Sequence, residues 1–321
     1  MKGKPGPVSE HLRPILDTYM GAAVALVGCT STGLQRYSCE FDVLVVGERR
    51  PPTSLKIGDV YADLYFVPES EILKPAGPER ALSLALCRPV RDTSLVLSAA
   101  SSTFTATLSS TAEAASRVRL TSALKSVTRA EAALVKGNTL DADFWLLAGG
   151  YEFAYALLLS REVVPSPSHV MSQLREVSKG TANGFEGISV AAGLEAASRA
   201  GCGARLDGVT VIHDILREGQ KDPTQPGWPR VKTEIMTEKA HELMTRVELA
   251  ECYSFLGQEM IDGMLALQKS RPKGAISDLA SGDSRLLGER LVRQLGLARE
   301  GESIKKGLEL LKRQVAQLAK G

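Results

Sequence analysis

Short apolar runs alternate with polar turns in the first hundred residues, and they predict a small β-sheet. The runs at residues 21–27, 41–46 and 59–67 are brief and rich in aliphatic or aromatic residues, which is typical of strands. Residues 93–98 predict one further strand. Before the first run, apolar positions at helical spacing predict a helix over residues 9–19.

Helical periodicity replaces these short runs in the rest of the chain. A polar, small-residue stretch over residues 98–111 marks the change, and we interpret it as a connection between domains or as the edge of the sheet. After it, apolar residues recur every three or four positions. The predicted helices cover residues 112–134, 141–160, 168–177, 232–268 and 303–320. The pattern therefore predicts an α+β chain, with a mixed-sheet domain over residues 1–105 and a mainly α-helical domain over residues 106–321.

Two of the predicted helices have residues that allow more than one structural role. Over residues 141–161, the aromatic side chains of Phe144, Trp145 and Phe153 are expected in the core, whereas Tyr151 and Tyr155 lie four residues apart on one face. Those two tyrosines would suit a stacking or acceptor pocket instead.

The last predicted helix has an apolar stripe among lysines. Ile304, Leu308, Leu311 and Val315 recur at helical spacing on one side. Such a stripe packs either on a neighbouring element or on a partner subunit, so a homo-oligomer formed through the C-terminal helices is one prediction.

Composition limits the functional classes. The formal net charge is +2, far from the strongly basic balance of a nucleic-acid-binding domain. Five widely spaced cysteines favour neither a disulfide framework nor a zinc site. The amino terminus lacks the apolar core of a signal peptide, and no apolar stretch approaches the ~20 residues of a membrane span. We therefore expect a cytoplasmic protein without a membrane partner.

Candidate chemistry lies between Gly28 and Val46. A glycine turn leads into Glu40 and Asp42, which are one residue apart at the start of an apolar strand. Since side chains alternate across a strand, the two carboxylates share one face, and Phe41, Val43 and Val45 face the other way. Two convergent oxygen ligands beside a glycine turn predict a divalent metal site next to a phosphate cradle.

This segment resembles the signature of the DNA polymerase beta-type nucleotidyltransferase superfamily. The family pattern has Gly-Ser, a second glycine, and then two acidic residues one position apart before aliphatic residues. Gly28, Gly33, Glu40 and Asp42 fall at the matching offsets without a gap. The family's third carboxylate lies on a following strand, where Asp63 matches best and Asp59 is the reserve candidate.

The resemblance implies a metal-dependent nucleotidyltransferase that moves a nucleoside monophosphate from a triphosphate such as ATP to an acceptor hydroxyl. Glu40, Asp42 and Asp63 would be the catalytic residues and would ligate Mg²⁺ or Mn²⁺. Asp63 would also be the general base or the ligand of a second metal. The acceptor stays open among a small molecule, a protein side chain and an RNA end, and the near-neutral charge favours the first two.

The phosphates would contact two further groups of residues. Gly28, Cys29, Thr30 and Gly33 would present the backbone N–H groups of the turn to the triphosphate. In the helical part, Lys125 and Arg129 are one turn apart, and the resemblance implies that such basic residues reach the triphosphate. Most basic residues there, including Arg117, Arg119 and Lys136, are also consistent with an ordinary solvated helix face.

Three departures from the family pattern support an alternative. Cys29 and Cys39 replace serines, and Glu40 replaces the first aspartate. Glutamate still ligates magnesium, but a thiol is a weaker donor to phosphate than a hydroxyl. The alternative is a nucleotide-binding regulatory or partner-binding protein built on a catalytic domain that has lost its activity.

Overall fold

The computed structural model describes residues 8–36, 39–58, 60–178, 185–219, 230–270 and 288–320. The fold is α+β, with a five-stranded mixed sheet and a mainly helical C-terminal part, which confirms the predicted fold class. The chain divides into two compact units, one of residues 1–114 and 220–238, the other of residues 115–219 and 239–321. The predicted domain boundary after residue 105 stays a prediction.

The elements of the first unit begin with a helix and end with a helix. They are α1 (Val8–Thr18), β1 (Val24–Val27), α2 (Gly28–Ser31), β2 (Phe41–Val46), β3 (Thr53–Ile57), β4 (Val60–Val67), α3 (Glu69–Leu73), α4 (Pro78–Ala85), β5 (Arg88–Arg91) and α5 (Val96–Thr105). The predicted first helix and first three strands are confirmed. The strand β3 was not predicted, and the reserve candidate Asp59 lies outside the described residues.

The sheet has the strand order β3-β4-β2-β1-β5. Only β2 and β4 are parallel, while β1 pairs antiparallel with β2 and with β5, and β3 pairs antiparallel with β4. The three strands predicted around the candidate site therefore lie side by side in the middle of the sheet.

Alternation along β2 gives the sheet two buried faces. Phe41, Val43 and Val45 pack in a cluster with Leu12 and Ile15 of α1, as the sequence predicts. Leu44 and Val46 point to the opposite face, into a cluster that contains residues of α4 and α5. Asp42 shares that second face, because it alternates with Phe41 and Val43.

The strand predicted over residues 93–98 is wrong, because α5 begins at Val96. The carboxylate of Asp92 accepts hydrogen bonds from the backbone N–H groups of Leu97 (3.2 Å) and Ser98 (2.7 Å). These are N–H groups of the first helical turn, which have no partner within a helix. The capping carboxylate therefore directs this apolar run into a helix.

The second unit consists of helices and short connections, with no strand among its described residues. The chain enters it along α6 (Leu108–Val135) and continues through α7 (Thr139–Leu159), a 3₁₀ turn (Pro167–His169), α8 (Val170–Val177), α9 (Glu186–Ala192), a 3₁₀ turn (Leu194–Ala196), α10 (Arg199–Gly219), α11 (Arg230–Thr245), α12 (Leu249–Ser270), α13 (Glu289–Gln294) and α14 (Gly301–Leu318). The first residues of α11 belong to the first unit.

The predicted single helix over residues 232–268 is wrong, because α11 ends at Thr245 and α12 begins at Leu249. Val247 has a left-handed backbone (φ 62°), and the N–H of Glu248 bonds back to the carbonyl of Leu243 at 2.9 Å. This bond satisfies a carbonyl group at the C-terminus of α11. Glycine usually occupies the left-handed position of such a helix end, which is taken here by Val247. A β-branched valine gives no sequence signal for such an end.

The C-terminal stripe packs inside its own unit. Ile304, Leu308, Leu311 and Val315 of α14 are buried in one apolar cluster with residues of α6, α7, α8 and α9. The stripe therefore has a neighbour within the chain, and the homo-oligomer stays a prediction. Among the described helices, none has both the length and the apolar character that a bilayer crossing requires.

Candidate functional site

The parallel pairing of β2 with β4 brings the predicted carboxylates together. Asp42 is directly opposite Asp63 in the register, so their side chains leave the same face of neighbouring strands. Glu40 precedes β2, two residues before Asp42. One ligand oxygen from each of the three lies within 4.8 Å of the other two, and all three residues are half-buried. The sheet therefore brings Asp63 into one cluster with Glu40 and Asp42, which are neighbours in the sequence.

Gly28 brings the backbone against this cluster. Val27, at the end of β1, is opposite Asp42 in the sheet, and Gly28 follows it with φ +63°. A Cβ atom at position 28 would overlap Oδ2 of Asp42. Glycine is therefore required here for two reasons, the left-handed backbone and the close approach of the carboxylate.

Tyr65 belongs to the site although the sequence reasoning missed it. Its hydroxyl group donates a hydrogen bond of 3.3 Å to Oδ1 of Asp42. Burial raises the pKa of the Tyr65 phenol, and the negative charges of Asp42, Asp63 and Glu40 raise that pKa further. The phenol therefore stays a neutral donor. The available signal was alternation, since Tyr65 lies two residues after Asp63 on the same strand face.

The residues of the predicted glycine turn form a short helix instead of an open turn. Gly28–Ser31 forms the helical turn α2, in which the side chains of Cys29 and Thr30 are buried. The Cys29 sulfur lies within 4.8 Å of the Cys39 sulfur. Cys29 and Thr30 can therefore offer a phosphate only backbone groups. Gly33, just beyond the turn, is exposed and has φ +76°.

The thiol of Cys29 is neutral beside the carboxylates. Its hydrogen bond with Cys39 raises its pKa most, and burial and the negative charges of Asp42 and Glu40 add to that increase. Cys29 is therefore not a thiolate nucleophile at neutral pH. No disulfide is present among the five cysteines, all of which lie in described segments.

The donor set fits a hard divalent cation. Glu40, Asp42 and Asp63 supply oxygen only, which is the ligand type that Mg²⁺ and Mn²⁺ prefer. Glu40 Oε2 and Asp63 Oδ1 are inaccessible to solvent, so much of the negative charge is removed from bulk water. A cation between the three carboxylates would offset their mutual repulsion, which is stronger in such surroundings than in water.

Lys125 and Arg129 belong to the second unit and line a cavity there. The cavity has a volume of about 220 Å³ and lies between α6, α7 and α12. The Arg129 guanidinium is 4.5 Å from the ring centre of Trp145. Trp145 is therefore a half-buried cavity residue, while Phe144 and Phe153 are buried as predicted. Tyr151 and Tyr155 also line the cavity, although Tyr151 is buried and its hydroxyl donates a hydrogen bond to the carbonyl of Ser254 at 2.7 Å. The stacking or acceptor role of the two tyrosines stays a prediction.

No protein-family model matches the chain, and neither does any curated protein sequence. Among solved structures, the chain is similar to a nucleotidyltransferase-like protein from Exiguobacterium sibiricum. The two share 10% sequence identity, and the similarity covers 90% of this chain and 88% of that one with a TM-score of 0.31.

Proposed function

We propose that the chain is a metal-dependent nucleotidyltransferase that transfers a nucleoside monophosphate from a triphosphate to an acceptor hydroxyl. One observation supports the proposal above all: the ligand oxygens of Glu40, just before β2, of Asp42 on β2 and of Asp63 on the adjacent β4 lie within 4.8 Å of one another. An oxygen-only cluster of this size can hold Mg²⁺ or Mn²⁺. Bound there, such ions would neutralise the charge that develops on the transferring phosphoryl group.

The reaction balances without an enzyme-bound intermediate. The acceptor oxygen forms a bond to the α-phosphorus, and the bond from that phosphorus to the bridging oxygen breaks. Pyrophosphate leaves with the electron pair of that bond. Asp63 accepts the proton of the acceptor hydroxyl, a role suited to a carboxylate within the cluster.

Other residues of the chain would position these groups. The Tyr65 hydroxyl donates its 3.3 Å hydrogen bond to Oδ1 of Asp42, while the second oxygen, Oδ2, faces Gly28. The missing side chain at Gly28 leaves that second oxygen its space. Both features favour an aspartate that is oriented before the metal binds, which lowers the cost of ordering it.

The direct test is nucleotide transfer by the purified protein. Each α-labelled triphosphate is incubated with Mg²⁺ or Mn²⁺ and a cell extract that supplies acceptors, and both label transfer and pyrophosphate release are followed. We expect Asp42→Asn and Asp63→Asn to lower the rate about 100-fold or more, in the range of acid–base effects. The matched control is Asp17→Asn, an exposed aspartate on α1.

The outcomes separate this proposal from its alternative. Saturable, metal-dependent triphosphate binding without turnover, lost in Asp42→Asn, would favour a nucleotide-binding regulatory protein that has lost catalysis. The buried Cys29 side chain, which gives a phosphate no side-chain donor, is the feature that favours that alternative. Folded protein that binds neither metal nor triphosphate would contradict both.

A further inference from the structure

We propose that the helical unit contains its own binding site for a small phosphate monoester, in the cavity between α6, α7 and α12. On α6, Ser122, Lys125, Ser126 and Arg129 follow one another at intervals of three, one and three residues, so they share one helix face. Trp145 and Tyr155 face the same space from α7. The inference does not depend on the proposed transferase activity.

Charge favours a dianion. Three basic side chains and one carboxylate line the cavity, and the Arg119 guanidinium is already paired with that carboxylate, Glu152, at 3.0 Å. Lys125 and Arg129 form no ion pair with any described residue. Two positive charges therefore remain, which matches the double negative charge of a phosphate monoester better than the single charge of a carboxylate.

Aromatic rings hold two of the cations in place. Arg129 lies over Trp145 at 4.5 Å, and Arg119 lies over Tyr155 at 5.0 Å. The Arg129 guanidinium, unlike that of Arg119, has no carboxylate partner among the described residues, so its N–H groups can contact phosphate oxygens. The Tyr155 hydroxyl makes no hydrogen bond within the described part of the chain, so it can donate to the same ligand.

The volume of the cavity limits the size of the ligand. Asp262, an acidic residue of α12, accepts a hydrogen bond from Gln258 at 3.4 Å and does not line the cavity, but its negative charge adds to burial in raising the pKa of the Tyr155 phenol. The volume of about 220 Å³ is below the ~300–1,000 Å³ of pockets for drug-sized molecules. A phosphorylated small molecule therefore fits better than a complete nucleoside triphosphate.

Trp145 provides the measurement. The chain has two tryptophans, so Trp228→Phe leaves Trp145 as the only one, and its fluorescence reports on the ring beside Arg129. Titrations use inorganic phosphate and phenyl phosphate in the presence of EDTA, and calorimetry measures the same affinities independently of fluorescence. We expect saturable binding of phenyl phosphate that is weakened at least ten-fold by Lys125→Gln or Arg129→Gln.

The matched controls come from the same part of the chain. Arg117 on α6 and Lys136 just beyond its end do not line the cavity, so Arg117→Gln and Lys136→Gln should bind phenyl phosphate as the parent does. Asp42→Asn should also bind normally, because the site belongs to the helical unit alone. Circular dichroism identifies any variant that fails to fold. If Arg129→Gln fails to fold, Arg129→Lys replaces it.

Glu152→Gln tests the sign of the charge. This substitution removes the one carboxylate that lines the cavity, so anion binding should strengthen a few-fold. Weaker binding in Glu152→Gln, or tight binding of an organic ammonium ion, would overturn the proposal and assign the aromatic rings to a cation. Phenyl phosphate affinity that is equal in the parent, Lys125→Gln and Arg129→Gln would overturn it as well, because the ligand would then bind elsewhere.

Discussion

At the scale of single residues, Gly28 ties the backbone to the candidate metal site. We predict that Gly28→Ala destabilises the protein and also weakens Mn²⁺ binding. The left-handed backbone at φ +63° costs a residue with a Cβ atom roughly 1–2 kcal/mol, and the new Cβ displaces Oδ2 of Asp42. Urea unfolding measures the first effect, and Mn²⁺ titration measures the second.

Gly33→Ala is the matched control for this prediction. Gly33 has a similar left-handed backbone, with φ +76°, but no atom would lie within 4 Å of its added Cβ. We therefore expect a comparable loss of stability and unchanged Mn²⁺ affinity. If Gly33→Ala weakened Mn²⁺ as much as Gly28→Ala does, backbone strain rather than the overlap with Asp42 would be responsible.

The sequence predicts the carboxylate cluster better than it predicts its surroundings. Strand alternation, which is a local rule, puts Glu40 and Asp42 on one face, and the family resemblance adds Asp63 on the next long strand. The orientation of Cys29 depends on α2 being helical, and four residues carry too little periodicity to reveal that. Alternation puts Tyr65 on the strand face of Asp63, but its hydrogen bond to Asp42 depends on the β2–β4 pairing, which no local pattern encodes.

At the scale of elements, Asp92 determines where α5 begins. We predict that Asp92→Ala lowers the free energy of unfolding by about 1 kcal/mol at pH 7, as the loss of other capping side chains does. Asp92→Asn should lose less, because its single amide oxygen can still accept from one of the two N–H groups of Leu97 and Ser98. Urea unfolding of the three proteins measures the difference.

The same cap gives a pH dependence of known sign. Burial raises the pKa of Asp92, but hydrogen bonds from Ser98 and from backbone N–H groups outweigh burial and lower it. A pKa lowered by folding stabilises the native state above the ordinary value of ~3.9 and stops doing so as the pH falls through the folded value. The gap between parent and Asp92→Ala should therefore be constant near neutrality and shrink below about pH 4. A gap that widened on acidification would contradict this account.

Arg299 connects three parts of the helical unit. Its Nε donates to Asp143 Oδ1 on α7 at 2.6 Å, and its guanidinium also donates to the carbonyls of Val190 (2.6 Å) and Ala191 (3.0 Å) on α9. Asp143 is fully buried. We predict that Arg299→Leu costs about 3–5 kcal/mol, because it leaves a buried carboxylate without its cation.

A double substitution identifies the cause of that loss. If the unpaired charge is responsible, Arg299→Leu combined with Asp143→Leu should be more stable than Arg299→Leu alone in urea unfolding. Equal or lower stability of the double variant would attribute the loss to packing and to the two carbonyl contacts instead.

Local patterns also explain the errors at this scale. Helical periodicity correctly predicts α6, α7 and α14, because each is long and rich in apolar residues and helix formers. It does not predict the end of α11 at Thr245, since the apolar positions continue in phase across the interruption at Val247. β3 lacks a clear signal because its five residues are all exposed or half-buried.

At the scale of the whole molecule, the candidate sites belong to different compact units. The carboxylate cluster is formed by β2, β4 and the residue before β2, and the phosphate cavity by α6, α7 and α12. The sequence predicts the change from sheet to helix near residue 105, but it gives no sign that residues 220–238 belong with the first unit. That assignment depends on contacts between residues far apart in the chain, which periodicity does not encode.

Two sites in two units predict two separate patterns of ligand protection, which amide hydrogen exchange measures. A ligand that binds only the folded form adds about 2.7 kcal/mol of stability at 100 times its Kd, and local opening reports where that free energy acts. Mn²⁺ should slow exchange in β1, β2 and β4, and phenyl phosphate should slow it in α6 and α7. Asp42→Asn should abolish only the first pattern and Arg129→Gln only the second. If either substitution abolished both patterns, the two ligands would share one site. A different result is also informative: each ligand could protect both units, while each substitution still abolished the effect of only one ligand. That result would mean that the two units unfold together.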